Sequence, residues 1–275
     1  LLTSTYDIIA YDLLPSQPGY KYLEFSETHS MVYEEQEGGT HKYYCTECDY
    51  VEKITGHDII VVDNGDGTHT VKCAYCTYVD STAAHLYEYG VCCFCGCVEL
   101  SEPAQVDGVY QISNVGELYW FAQLVNGGTA DASAELISDV VVNRDIAGEW
   151  QTYRLATWTP IGADVEFTGS FNGNYHTVSG LYMKGSATTL GLIGNLSGST
   201  VCNVGVIDSY FETDANNSNV GGVVASNNGT VRQCWFDGTI IIHGPDVYCG
   251  GVVGYNDNGT ITNCYNTSEI VGTNL

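Results

Sequence analysis

Basic residues are scarce. Eight Lys and Arg face 33 Asp and Glu in 275 residues, for a formal charge of -25. The acidity runs through both halves of the chain and is not a tail. Such a surface cannot replace the counterions of a phosphate backbone, which excludes nucleic acid as a partner. Anionic lipid is repelled for the same reason. Long apolar runs are missing too. The longest aliphatic stretch, Ile59-Ile60-Val61-Val62, is far too short for a spanning helix, so no membrane insertion is expected in this segment. The start at Leu1 shows no signal peptide or lipidation motif and no Met, which suggests an excised or processed fragment. Catalytic signatures are also lacking. There is no Gly-x-Ser-x-Gly, no His-Glu-x-x-His and no phosphate-binding glycine loop. Asp208, Asp237, Asp257 and Glu269 do not share a repeat position, and His176 sits in a β-run. No catalytic residue is assigned, and the expectation is a protein that is not an enzyme.

Glycine (32), tyrosine (21) and cysteine (12) are plentiful, and 44% of residues are apolar, which rules out a disordered chain. Two repeat systems divide the sequence. The first has a period of 28, shared by His29, His57 and His85, by His41 and His69, by Cys45 and Cys73, and by Cys48 and Cys76. Glu37-Gly38-Gly39-Thr40 and Asn64-Gly65-Asp66-Gly67 separate short β-rich runs, as hairpin turns do. Each unit reads as a hairpin followed by a Cys-x-x-Cys turn. A shortened last unit ends in Cys92-Cys93-Phe94-Cys95-Gly96-Cys97.

Two residues between thiols let one turn aim both sulfurs at one metal ion, and zinc takes mixed Cys/His sets. A first set uses Cys45, Cys48 and His57, completed by His41 or His29. A second uses Cys73, Cys76 and His85, completed by His69 or by the pair Cys92 and Cys95. The cofactor expected is structural zinc, one to two ions per chain. Disulfides are the competing assignment, because secreted chains oxidise their thiols and 12 is an even number. They give no reason for five histidines to keep the same period.

The second repeat has a period of 30. Thr200, Thr230 and Thr260 share one position, Val204, Cys234 and Cys264 another, and Gly191, Gly221 and Gly251 a third. Short β-runs between Asn/Gly turns at this period stack as parallel coils. Cys234 and Cys264 then form an inward ladder, while Cys202 is offset and Cys249 has no counterpart. One helix is predicted near 114–126, capped by Asn114 and Glu117 and lying across the first coil. Trp120, Trp150 and Trp158 are expected to pack that end of the stack. With Trp235 they offer a sugar-stacking platform as the alternative.

Gly221-Gly-Val-Val-x-x-Asn-x-Gly-Thr-Val-x-x-Cys234 and Gly250-Gly-Val-Val-Gly-Tyr-Asn-Asp-Asn-Gly-Thr-Ile-Thr-Asn-Cys-Tyr265 resemble the GLUG repeat. That family includes surface proteins of gut bacteria and accessory regions of immunoglobulin A proteases. The resemblance covers about residues 107–275 and implies a parallel β-helix at the cell surface. Residues 29–97 resemble the His/Cys hairpin repeats of Firmicute surface proteins, from which Cys93 and Cys97 depart. The expected organisation is all-β: residues 1–28 the tail of an upstream module, 29–100 zinc-binding hairpin repeats, 101–106 a linker and 107–275 a parallel β-helix. The expected role is a secreted, non-catalytic adhesin segment at a bacterial surface, with a host or bacterial surface glycan or protein as partner. A glycan-binding module, or an accessory region of a larger secreted protease or glycan-degrading enzyme, is the alternative. The β-helix is expected to continue past Leu275.

Overall fold

The computed structural model describes residues 6–10, 24–27, 30–36, 38–47, 50–144 and 155–272. Leu1–Ala84 and His85–Leu275 form two compact units. His29, Cys48 and Trp150 lie outside the described residues.

The first unit holds β1 (Tyr6–Ala10) antiparallel to β2 (Glu24–Glu27), then two three-stranded antiparallel sheets. One is β3 (Met31–Gln36), β4 (Thr40–Cys45) and β5 (Val51–Gly56). The other is β6 (Ile59–Asp63), β7 (Thr68–Cys73) and β8 (Val79–Ala84). Their registers are the same, shifted by one period: Met31 pairs with Cys45, and Ile59 with Cys73. The turns use left-handed glycines, Gly38 (φ 89°) and Gly39 (φ 78°) in one sheet and Gly65 (φ 74°) and Gly67 (φ 84°) in the other. Apolar residues do not build a core here. β5 and β8 are exposed along their whole length. Among the described residues of this unit, the buried side chains are His41, Cys45, His69 and Cys73.

The second unit is a parallel β-solenoid with three faces. On the first, Ile193–Cys202 pairs with Val224–Arg232, which pairs with Val253–Asn256 and Thr260–Thr262. On the second, Gly205–Thr213, Trp235–Ile242 and the segments Tyr265–Asn266 and Glu269–Gly272 are in parallel register. Thr189–Leu190, Asn219–Gly221 and Tyr248–Gly250 make the narrow third face. Alternating inward residues, among them Leu192, Leu196, Val201, Phe211, Val231, Phe236 and Ile240, fill the interior with no water exposure beyond 2%. Burial of this kind contributes roughly 1.5–3 kcal/mol per large side chain and dominates the stability of the stack.

Thr200, Thr230 and Thr260 pair in register as the period requires. The glycine position does not. Gly221 pairs with Gly250 rather than Gly251. The turn Asn256-Asp257-Asn258-Gly259 is one residue longer than Asn227-Asn228-Gly229, so the coil is short by one before that turn and regains register after it. Cys249 does have counterparts: it pairs with Val220, which pairs with Leu190.

The single helix of the described residues, α1 (Val115–Asn126), buries Val115, Leu118, Phe121, Ala122 and Val125 against the first coils. Asn114 Oδ1 accepts from Glu117 N at 3.0 Å. Glu117 reaches back to the amide of Ser113, at 2.6 Å, one residue before the cap. Trp158 is 2% exposed, and its Nε1 donates to Gly191 O at 3.0 Å. Trp120 is half-buried against Tyr110. Residues 101–106 are not a free linker, since Ala104–Val106 pairs antiparallel with Val109–Ile112 at the head of the first face.

Candidate metal centre

The first cysteine of each Cys-x-x-Cys pair opens the same small loop. The amide of the first cysteine donates to the carbonyl five residues on, Cys45 to Tyr50, Cys73 to Tyr78 and Cys92 to Cys97, at 2.8–2.9 Å. The amide two residues on then points at the first sulfur, from Glu47 to Cys45 Sγ and from Tyr75 to Cys73 Sγ, both 3.4 Å. Amides aimed at sulfur favour a thiolate. Burial raises the pKa of Cys73, but donation by Tyr75, Cys76 and His57 outweighs it and holds the thiol at about 6. Cys76 is pushed up by burial and by Cys73 beside it.

The donors that converge do not come from one repeat. His41 on β4, His57 between β5 and β6, Cys73 at the end of β7 and Cys76 just after it place one ligand atom each within 4.8 Å of one another. His41 Nδ1 is 3.3 Å from Cys73 Sγ, and His57 Nδ1 is 3.4 Å from Cys76 Sγ. A tetrahedral zinc, with bonds of about 2.3 Å to sulfur and 2.0 Å to nitrogen, sets such N···S separations near 3.5 Å. The other nitrogen of His41 meets Thr55 Oγ1 at 3.0 Å, which orients the ring as outer-shell partners of ligands do. His57 Nε2 is buried without a hydrogen-bond partner among the described residues. Tyr78 stacks on His57 at 4.0 Å, and Tyr33 packs on His41 at 4.9 Å while stacking on Tyr43 and Tyr75. These rings shield the donors where an aliphatic core is missing.

This grouping differs from the one read off the sequence. Within the first unit, the His pair of one 28-residue repeat meets the Cys pair of the next. Among the described residues, the converging group takes Cys73 and Cys76 of the following repeat, where the sequence grouped His41 and His57 with Cys45. Cys45 is buried at the position in β4 that Cys73 holds in β7, and His69 in β7 at the position His41 holds in β4.

In the second unit, His85, Cys92 and Cys95 bring one ligand atom each within 4.8 Å of one another. Cys97 adds a thiol that the repeat does not provide, with its Sγ 3.2 Å from His85 Nδ1. Cys93 is exposed, near Glu88. The knuckle rests on the solenoid through two left-handed glycines. A Cβ on Gly90 would lie 2.8 Å from Val115 Cγ1, and one on Gly96 would lie 2.5 Å from Leu155 O.

Among the described residues, Asp208, Asp237, Asp257 and Glu269 join no group of metal-ligating side chains. Asp237 pairs in register with Ile207, Glu269 with Thr239, and Asp257 sits in a turn. His176 Nδ1 meets Asp139 at 3.2 Å, and Asp139 also accepts the Thr177 amide, a turn-fixing arrangement.

The family profile described as the GLUG motif matches residues 248–271. Halomucin of Haloquadratum walsbyi is 33% identical over 154 residues, which cover 54% of this chain and 2% of that protein. The chain therefore spans a very small share of that relative's length. No solved structure matches the chain.

Proposed function

We propose that this chain is a non-catalytic segment of a secreted, surface-associated protein, in which a GLUG-type solenoid presents an adhesive face and zinc holds the His/Cys hairpins. The observation that carries the zinc assignment is the burial pattern of the first unit. Its buried described side chains are two histidines and two cysteines, and two of them converge with His57 and Cys76. Zinc would be held by His41, His57, Cys73 and Cys76, and it supplies cross-linking energy that the missing apolar core does not. A four-donor shell leaves no open position for a substrate, which supports a structural ion. The GLUG motif and the likeness to halomucin support a surface location. The charge of -25 suits a salty exterior.

Elemental analysis of the purified chain tests the metal: one to two zinc ions are expected. Metal-free protein with the Cys-x-x-Cys pairs oxidised in the mass spectrum would establish disulfides instead. Turnover of mucin glycans by the purified chain, lost on one point substitution, would refute the non-catalytic reading.

Glycan binding is the second reading, and one observation favours it. Trp235 lies flat over Gly205, where a Cβ would come 2.2 Å from the indole, and Tyr265 stacks on it with 5° between the rings. Such a ladder offers a sugar a flat aromatic face. A glycan array read with Trp235→Ala as control would separate this from a passive stalk.

A further inference from the structure

Cys234 and Cys264 each follow a left-handed corner, Gln233 and Asn263, both at φ 55°. The residues before them pair in register, Arg232 with Thr262, as do the residues after them, Trp235 with Tyr265. The two cysteines thus stack on successive coils. Neighbouring strands lie about 4.8 Å apart, inside the Cα window of about 4.4–6.8 Å that a disulfide accepts. Their side chains adopt equivalent positions one coil apart. Cys234 Sγ is 3.3 Å from Arg232 O and 3.8 Å from Val201 O. Cys264 Sγ is 3.4 Å from Thr262 O and 3.7 Å from Val231 O. The neighbouring coil carries Val204 at this position, so the stack holds two sulfurs there. Cys202 faces Asn172 instead, at 3.5 Å.

The two thiols differ in access. Cys234 is fully buried and Cys264 half-exposed. We infer that Cys264 and Cys234 form a peroxide-oxidisable pair that closes a disulfide between the last two coils. In the first step the Cys264 thiolate attacks a hydroperoxide, the O–O bond breaks, sulfenic acid forms, and the hydroxide or alkoxide that leaves takes up, through solvent, the proton Cys264 released on ionising. In the second the Cys234 sulfur attacks the sulfenic sulfur. The S–O bond breaks, hydroxide leaves and takes the Cys234 proton as water. One peroxide is reduced by two electrons and two thiols become one disulfide. The access difference sets the order of attack, and the charge balance agrees: donation towards the Cys264 sulfur from the neighbouring thiol and backbone amides outweighs burial and holds it down at about 6, whereas the neighbouring sulfur and burial push Cys234 up. The bond would staple the GLUG motif at 248–271 to the preceding coil.

The test treats the reduced full chain with hydrogen peroxide, alkylates at intervals and maps the peptides. A cross-linked Cys234–Cys264 peptide is expected, forming about tenfold or more faster than any oxidation of Cys202 or Cys249. Cys234→Ser should leave Cys264 as a sulfenic acid trapped by dimedone, and Cys264→Ser should leave Cys234 unoxidised. Amide exchange in 253–272 should slow on oxidation of the wild-type chain. Dimedone capture of Cys264 in the wild-type chain without cross-linking, or equal oxidation rates at Cys202 and Cys249, overturns the inference.

Discussion

Replacing His41 with alanine should expose Cys76 to alkylation, although the two belong to different repeats. The proposed ligand set of His41, His57, Cys73 and Cys76 requires it. Structural zinc in small modules supplies on the order of 10 kcal/mol of apparent free energy. One of four ligands then carries roughly 2.5 kcal/mol, a loss of metal affinity approaching 10²-fold. The assay loads the full chain with zinc, adds a competing chelator and follows iodoacetamide modification of Cys76 by mass spectrometry. The rate in His41→Ala should rise by about that factor. Cys45→Ser is the matched control. Cys45 and Cys73 are 3% and 2% exposed at equivalent strand ends, so their packing costs are alike. Cys45→Ser should leave Cys76 protected, and Cys73→Ser should not. If His41→Ala leaves Cys76 as protected as in the parent while Cys73→Ser exposes it, the donors group within repeats and the cross-repeat set is wrong.

Stripping zinc under reducing conditions should let amides of β3 to β8 exchange freely while the solenoid amides of 193–242 keep their protection; unchanged β7 protection would show that the hairpins need no metal. Trp158→Ala should cost about 3–5 kcal/mol in urea unfolding of the second unit, because a buried ring and its bond to Gly191 O are both lost. Glu212 gives a pH signature. Burial raises its pKa, but Tyr210 (2.5 Å), Lys184 (2.9 Å) and His243 (3.0 Å) outweigh it and hold the carboxyl at about 2. Its folded pKa is depressed, so the stabilisation is present above about 4.5 and is lost as pH falls towards 2. The gap corresponds to roughly 3 kcal/mol, which Glu212→Gln should abolish across that window. Gly222→Ala should destabilise the last coils, since its Cβ would meet Phe236 Cγ at 2.1 Å and Gly251 O at 2.3 Å. Equal midpoints for mutant and parent would show that the coil can shift to accept it.

Local patterning carried the fold class. Thr200, Thr230 and Thr260 announce stacked coils because a β-coil repeats its turn chemistry and its inward alternation at every pass. The helix was legible for the same kind of reason, since Asn114, Glu117 and the Leu118–Phe121–Val125 face act over one or two turns. That His and Cys would cluster was legible as well, because the 28-residue period keeps them at fixed strand positions. Which histidine meets which cysteine was not. Within a repeat His41 and Cys45 are near in sequence, but the sheets bring His41 to Cys73, and a periodic sequence reads the same whether donors join within a unit or across two. The one-residue slip at Gly250 has a similar origin: hydrogen-bond register, not residue spacing, decides which glycine stacks on Gly221. The thiol of Cys97 lies outside the repeat, so only its approach to His85 in space revealed it. Periodicity can be read along the chain, whereas partner choice between equivalent positions is settled by how the sheets pack.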